Sequence, residues 1–513
     1  MSTGSENDQM STNSAAQAKS TDTQKAAAFL AGLSLYQMIH VAISAGNFTV
    51  GRFQIPQKYV SLYINRMIIS NRVFSLIGII LTTAYEQFDG PGIPKLNIGL
   101  FGLLLLSHIT LFLTYCSGGA QGHITLYYWI VVVVAFIIGL CFVFTVKLAS
   151  NAIIYLLAAL PISGILASSY HISFILISQY FNVSNVYYWL VFWQHICAIS
   201  LISVTTVIWA FAYGSGSQPQ QQQQQTNGGG EFLKSLHNAI SPLLLVAFGY
   251  GIQNMFYPSV APYKIIGIDK GYKIDVAVLF TSAVPPLIFL GLISKGKGPN
   301  KPWKNDNNQA QLWHGAWAFF GIQVICGILF FSTLHYPNST LPRSIRNSIW
   351  GLGFFTVLYD FSAQMTRCIG SNGVDKQKGK SAAKMNTLNS FLYSFTQVIF
   401  AFLGDGYIRT YRKAEESSDL WPTAHYTNKR AFWFWTWSTT KVALGTLKGA
   451  FSTDVRAEIL VKKEHLFIVY EDGPPEDDDP FFDLPFIHNT ESSKDNHSFK
   501  GVYILTHSSL TQM

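Results

Sequence analysis

ITLYYWIVVVVAFIIGLCFVF, Ile124 to Phe144, is a run of 21 residues without a single charged side chain. A helix needs about 20 mainly apolar residues to cross the hydrocarbon core of a bilayer. This stretch therefore predicts a transmembrane helix. The whole chain of 513 residues is 49% hydrophobic and only 12% charged, whereas soluble domains carry about 25% charged residues. We therefore predict an all-α membrane protein with several spans.

The same criterion predicts eleven transmembrane helices. They cover approximately residues 26–46, 68–88, 96–116, 124–146, 151–179, 186–213, 239–261, 274–294, 311–334, 345–369 and 386–407. The first is the weakest because Gln37 and His40 interrupt it. The low-complexity sequence GSGSQPQQQQQQTNGGG has the composition of a flexible linker and separates six spans from five.

This pattern divides the chain into five parts. They are a disordered N-terminal tail (1–25), a first six-helix bundle (26–213), a Gln/Gly-rich cytoplasmic linker (214–236), a second five-helix bundle (237–407) and a C-terminal tail (408–513). Within that last tail, residues 431–450 could be a twelfth span or a helix lying on the membrane surface. Lys441 and Lys448 are costly in mid-bilayer and the aromatic rings nearby suit the interface, so we favour the interfacial placement.

Two patterns indicate the orientation. The densest basic loops, KGKGPNKPWK (295–304) and DKQKGKSAAK (375–384), are separated by two spans and must lie on one face. The positive-inside rule makes this face cytoplasmic. Counting spans then places the N-terminus inside, and the plasma membrane is the expected location. The candidate glycosylation sequons at Asn47, Asn182, Asn338 and Asn496 all fall on the predicted outer face.

Several function classes lack their sequence features. The net charge of +8 does not indicate nucleic-acid binding, because the basic residues lie mostly in short loops between apolar runs. No GxSxG, HExxH or GxxxxGK[ST] motif occurs, so we expect neither an enzyme nor an ATP-driven pump. The five cysteines show no CxxC spacing, and the four histidines in apolar runs lie on separate spans. We therefore expect no metal site and no cofactor.

Polar residues inside the spans are the main candidates for function because they are costly in lipid. In GLGFFTVLYDFSAQMTRCIG, Asp360, Gln364 and Arg367 share one helix face. Asp360 and Arg367 could compensate each other through Gln364 or water. Such a pair could hold two helices together, or the face could line a polar cavity or gate.

The fifth span contains a second set of such residues. Pro161, Gly164 and Ser168 are small or helix-distorting, and His171 follows on the same segment. Small residues allow a neighbouring helix to approach closely. The alternative interpretation is a polar wall beside a solute path.

NMFYPSVAPYK, Asn254 to Lys264, is the third candidate. Gln253 and Asn254 precede Pro258, whose ring removes a backbone donor and clashes with the preceding turn. Broken backbone at membrane depth is tolerated only inside protein or beside a wet cavity, and it recurs at transporter binding sites. Alternatively, the helix ends here and places Tyr257 and Tyr263 at the membrane interface and Lys264 in water.

Six spans, a polar linker, five spans and an inside N-terminus resemble the equilibrative nucleoside transporter family. FLKSLHNAISPLLLVAFGYGIQNMFYPSVAP is similar to that family's segment leading into the seventh span, with an aromatic-proline pair at Tyr257-Pro258. ALPISGILASSYHIS and QYFNVSN are similar to its fifth span and exit loop. The resemblance implies a transporter-like (MFS-like) fold of two bundles, and transport of a nucleoside or nucleobase.

This sequence also departs from the family's pattern. Its eighth span has Asp275 at the start but lacks the Arg that the family places one turn from its Asp, and LYQMIH replaces a Pro-Trp-Asn signature in the first span. The nucleobase-recognising residues are therefore not carried over. YPSVAPYK is also similar to the Tpr-related multigene family of parasites.

These observations predict a facilitative or ion-coupled carrier that is embedded in the lipid bilayer and binds a small polar solute. We expect hydrogen bonds to the solute from Gln253, Asn254, Tyr257, His171 and Gln364, beside the helix break at Pro258. The alternative is a polytopic surface protein of a divergent multigene family that transports nothing. A polar cavity between the two halves would favour the carrier, and a dry interface the alternative.

Overall fold

The structure is a computed structural model. It describes residues 22–56, 59–87, 91–119, 121–149, 152–214, 229–299, 303, 311–375, 381–416, 421–449 and 455–456. Most of the N-terminal tail, most of the linker, and the tail beyond residue 456 with Asn496 lie outside the described residues.

The chain before the linker forms long apolar helices joined by short connections. They are α1 (Asp22–Leu35), α2 (Gly46–Arg52), α3 (Val60–Gln87), α4 (Ile93–Cys116), α5 (Ile124–Leu148), α6 (Ile153–Tyr180) and α7 (Val186–Tyr213). Beyond α1 the chain continues as a short helix and a π-helical turn, His40–Ser44. The helix α6 continues through Pro161 without interruption.

The chain after the linker forms a second set of helices. They are α8 (Gly229–Gly251), α9 (Ile268–Thr281), α10 (Val284–Ser294), α11 (Trp317–His335), α12 (Thr340–Asn347), α13 (Ile349–Asp375), α14 (Ser381–Glu416) and α15 (Asn428–Gly449). Together α9 and α10 form the predicted eighth span, and a short turn, Gln253–Phe256, follows α8.

Ten helical segments of the described chain are long and apolar enough to cross a membrane, and they match every predicted span except the tenth. That span is α13, whose 27 residues make it about 40 Å long. It is more polar than the others because it packs against α8, α9, α10, α11 and α14 and is largely shielded from lipid. Large apolar side chains instead project from the outward faces of other helices, such as Leu113 on α4 and Leu176 on α6.

Small residues set the closest helix contacts. A side chain at Gly139 of α5 would overlap the Ser75 carbonyl of α3, and one at Gly32 of α1 would overlap the Leu156 carbonyl of α6. Such residues let helix backbones approach closely where lipid supplies no hydrophobic drive for association. The predicted close approach at Gly164 of α6 also occurs, and it faces Leu279 of α9.

The two sets of helices meet along two lines of contact. On one side α3 packs against α14, and on the other α6 packs against α9 and α10. Polar side chains of both sets lie between these lines.

The helix α15 packs along α14 through a stripe of residues four apart. Its members are Ala431, Trp435, Thr439 and Ala443, all buried. Phe432, Trp433 and Trp437 project away from α14 and are exposed.

Both ends of α15 are associated with the same face of the protein. Before it, Asn428 accepts a hydrogen bond from Tyr336, which follows α11. After it, Arg456 donates to the carbonyls of Phe53 and Gln121, at 2.9 and 3.1 Å, in connections on that face. The six residues from Gly449 to Val455 reach at most about 21 Å, less than the hydrocarbon core of about 30 Å. This geometry favours the interfacial placement over a twelfth span.

We predict that Ser184 and Lys429 face one side of the membrane and Lys297 the other. In a background without the five native cysteines, a membrane-impermeant maleimide on intact cells should label Ser184→Cys and Lys429→Cys but not Lys297→Cys. A C-terminal tag should be accessible together with Ser184→Cys. Accessibility of the tag together with Lys297→Cys would contradict this placement of α15.

We also predict that Gly406→Ala loosens α15. An added methyl group would overlap the Thr439 carbonyl and the Ala443 nitrogen, and overpacking of this kind costs about 1–3 kcal/mol. The thermal unfolding temperature of the purified protein should fall. Gly445→Ala is the matched control, because a methyl group there has nothing within 4 Å. Equal unfolding temperatures for both variants would refute this role of Gly406.

Candidate functional site

The helical path is broken where the sequence predicts a break. After α8 and the turn Gln253–Phe256, Tyr257 has extended backbone angles, and Ala261 interrupts the following π-helical turn in the same way. The peptide bonds before Pro258 and Pro262 are both cis.

The tyrosines of the broken segment point into the protein. The Tyr257 hydroxyl donates to Asp275 of α9, and the Tyr263 hydroxyl donates to the other carboxylate oxygen at 3.3 Å. Both oxygens of this buried carboxylate are therefore hydrogen-bonded within the protein. The predicted solute ligand Tyr257 is therefore bonded to Asp275, and it does not line the cavity between the two bundles.

The helical turn just before the break brings Gln253 to a buried carboxylate of the second bundle. The Gln253 amide donates to Oδ1 of Asp360, on α13. Asp360 is only 1% exposed, and its Oδ2 has no hydrogen-bond partner among the described residues. An unpartnered carboxylate oxygen at this depth is expensive and marks a candidate functional position.

Asn254, the next residue along the chain, contacts the first bundle. Arg72 of α3 donates from Nη2 to Oδ1 of Asn254 at 3.5 Å, while Nδ2 of Asn254 is buried without a described partner. The broken segment is held close to α14 as well, because Gly404 leaves room for the carbonyl of Met255. This one segment therefore links α3, α13 and α14.

The direct pairing of Asp360 with Arg367 is not formed. Arg367 instead donates from Nη1 to Oε1 of Gln364 at 3.5 Å and lies over the ring of Tyr250, 4.9 Å from its centre. The prediction placed both charges on one helix face correctly, but seven residues of helix separate them by about 10 Å. Gln253 donates to one of the two carboxylate oxygens of Asp360 instead.

A cavity of about 70 Å³ lies between the two bundles, and part of its wall is apolar, with Leu35, Ile79 and Phe142 among the lining residues. Its polar lining comes from both of them: Tyr36, Asn71, Arg72 and Ser75 before the linker, and Tyr250, Arg367, Tyr393, Ser394 and Gln397 after it. Of the predicted site residues, Arg367 lines this cavity directly. Asn254 and Gln364 are hydrogen-bonded to its two arginines, whereas Gln253 is bonded to Asp360, which does not line the cavity.

Sequence reasoning missed Arg72, Tyr36, Tyr250 and Tyr393. Arg72 carried a usable signal, because an arginine within a predicted span is as costly as the Arg367 that was recognised. The tyrosines carried none, since aromatic residues are common throughout these spans.

His171 does not reach the cavity. Its Nε2 lies 3.0 Å from Oε1 of Gln194 on α7, and its Nδ1 lies 3.2 Å from the hydroxyl of Tyr272 on α9. Its ring also packs against Phe48, which contacts Tyr272 in turn. His171 therefore belongs to an aromatic contact between the two bundles, away from the lining residues.

Comparison with known proteins defines the fold. No protein-family model and no curated protein matches this sequence. A solved D-xylose-proton symporter superposes with a TM-score of 0.51 and 10% identity, over 83% of this chain and 97% of the symporter. The chain shares the fold of this symporter. The prediction of an all-α membrane protein with a transporter-like fold is thereby confirmed.

Two further solved structures are similar to a lesser degree. The proton:xylose symporter XylE of the major facilitator superfamily gives a TM-score of 0.48 at 12% identity, over 83% of this chain and 95% of that one. The nucleoside transporter NupG gives 0.41 at 11% identity, over 83% and 97%.

We predict strong coupling between Gln253 and Asp360. Gln253→Leu alone should destabilise the protein by about 1–3 kcal/mol, because it leaves a buried carboxylate without its hydrogen-bond donor. The double variant Gln253→Leu/Asp360→Leu should recover most of this loss, since it removes both polar groups. Unfolding midpoints of the purified wild type, both single variants and the double variant measure the coupling. Additive losses would show that the two side chains act independently.

Proposed function

We propose that the protein is a multi-pass membrane transporter for a small polar solute. The cavity between the two bundles, which two arginines line, carries this proposal, because a protein without a solute path would be expected to have a dry interface there. Charged side chains at membrane depth characteristically mark substrate or ion pathways. Arg72 and Arg367 both line this cavity.

In this proposal the two bundles rock about the cavity. The hydrogen bond between Arg72 and Asn254 is long, at 3.5 Å, and joins the bundles at the cavity. A long hydrogen bond between an arginine and a neutral amide is weak enough to be exchanged for one to a solute. The contacts of Phe48 and His171 with Tyr272 would close the interface on one face and separate when that face opens.

The orientation of the protein in the membrane and its cellular location are part of the same proposal. The face that carries the exposed Asn182 and Asn338 would be extracellular, with the N-terminus in the cytoplasm and the protein in the plasma membrane. These two sequons are the accessible glycosylation candidates. The sequon of Asn47 lies in α2, where Thr49 is buried and bonded to the carbonyl of Ala45.

A non-transporting membrane protein is the second candidate. The contacts of Arg456 with Phe53 and Gln121 favour it, because they tie the chain after α15 to the first bundle. Since α15 itself packs on the second bundle, this connection would resist separation of the bundles on that face.

The test is uptake of radiolabelled solutes by a host without matching transporters, beginning with nucleosides and nucleobases and extending to sugars, amino acids and organic acids. Asp360→Asn and Arg367→Gln should each reduce uptake at least tenfold at equal surface expression. Gln323→Met is the control, because Gln323 is a fully buried amide on α11 that does not line the cavity. No uptake of any solute above the empty host would favour the non-transporting protein.

A further inference from the structure

The cavity combines two arginines that come from opposite bundles. Arg72 lies on α3 and Arg367 on α13, and both line the same 70 Å³ space. No aspartate or glutamate is among the described residues that line it. The nearest acidic group along α13, Asp360, is already held by Gln253. The electrostatic character of the cavity is therefore positive.

The partners of the two guanidinium groups leave both charges uncompensated. Arg72 contacts the neutral amide of Asn254, and Arg367 contacts the neutral amide of Gln364 and the ring of Tyr250. Within the described part of the chain, neither group lies within 4 Å of a carboxylate. By contrast, Arg409 of α14 pairs with Asp405 at 2.8 Å. Arg367 is buried and Arg72 is partly buried. Two like charges beside one cavity without a counter-charge form an unfavourable arrangement, which a bound anion would relieve.

The remaining lining supplies hydrogen-bonding groups. The hydroxyls of Tyr36 and Tyr250 lie 3.4 Å apart, and Tyr393, Ser394 and Gln397 of α14 face the same space. Phenol, hydroxyl and amide donors suit the oxygens of a small anion.

We propose that the solute is a small organic anion whose carboxylate or phosphate group binds between Arg72 and Arg367. This inference rests on the transport function proposed above and narrows it. A guanidinium group presents parallel N–H donors that match the two oxygens of a carboxylate or phosphate. Because the arginines come from different bundles, one anion bound to both would hold the bundles together around it.

The first experiment compares solute classes on the wild-type protein. Uptake into a null host and thermal stabilisation of the purified full-length chain are measured with succinate, glycerol phosphate, uridine and xylose, at constant ionic strength. We expect uptake of, and stabilisation by, succinate or glycerol phosphate, and neither effect with the neutral solutes. The two anions separate carboxylate from phosphate recognition.

The second experiment changes the arginines. Arg72→Gln and Arg367→Gln should each weaken anion binding at least tenfold, and Arg72→Lys should weaken it less because the charge remains. Arg412→Gln is the control, since this arginine lies over the ring of Tyr59 and does not line the cavity. It should leave binding unchanged. If a glutamine variant does not fold, Arg72→Lys and the wild-type solute comparison still test the proposal.

The outcomes separate this inference from the proposed transport. Uptake of a neutral solute without anion uptake or anion binding would overturn the anionic class and leave transport standing. Anion binding that depends on both arginines, without uptake of any solute, would support the site and refute transport. Anion binding that persists unchanged in the glutamine variants would overturn the site.

Discussion

The interior of a bilayer offers no water to a charged side chain, so each buried charge must find its partners within the protein. In this protein two neighbouring residues of the short turn after α8 are such partners. Gln253 donates to Asp360 on α13, and Asn254 accepts from Arg72 on α3. Both residues lie in the short helical turn before Tyr257, where neighbouring side chains point about 100° apart. These adjacent residues are therefore hydrogen-bonded to charged side chains of different bundles.

The packing around the break follows from the same requirement. Non-helical backbone at membrane depth needs close protein cover, and Gly404 of α14 allows that helix to approach the carbonyl of Met255. Two residues further along, Gly406 lets α15 pack on the opposite side of α14. One short stretch of α14 thus packs against the broken segment on one side and the C-terminal helix on the other. Asp405, between the two glycines, accepts from Arg409 and from Asn65 of α3.

Local patterns in the sequence were sufficient for the spans and for the position of the break. Apolar runs of about 20 residues predicted the helices, and the proline at 258 predicted the loss of helical backbone. The tenth span was predicted by the same criterion, although the polar side chains of α13 make it less apolar than the other ten.

The pairing of polar groups could not be found in this way. Helical periodicity shows which residues share a face, and it led to the expectation that Asp360 and Arg367 compensate each other. The actual partner of Asp360 lies 107 residues away in the sequence, and the second arginine of the cavity lies on a helix of the other bundle. Such contacts depend on how the bundles are rotated against each other, which no local pattern specifies.

The neutral partners of the two arginines matter for how a carrier of this design would work. An amide oxygen satisfies a guanidinium donor without cancelling its charge, so the attraction for an anion remains. An anion adds a charge–charge attraction to the guanidinium that the neutral amide of Asn254 does not provide, and an anion in the cavity would therefore displace Asn254 from Arg72. The displacement removes the direct link between α3 and the broken segment and replaces it with one through the solute. Occupancy of the cavity and the relative position of the bundles would then be coupled through a single arginine.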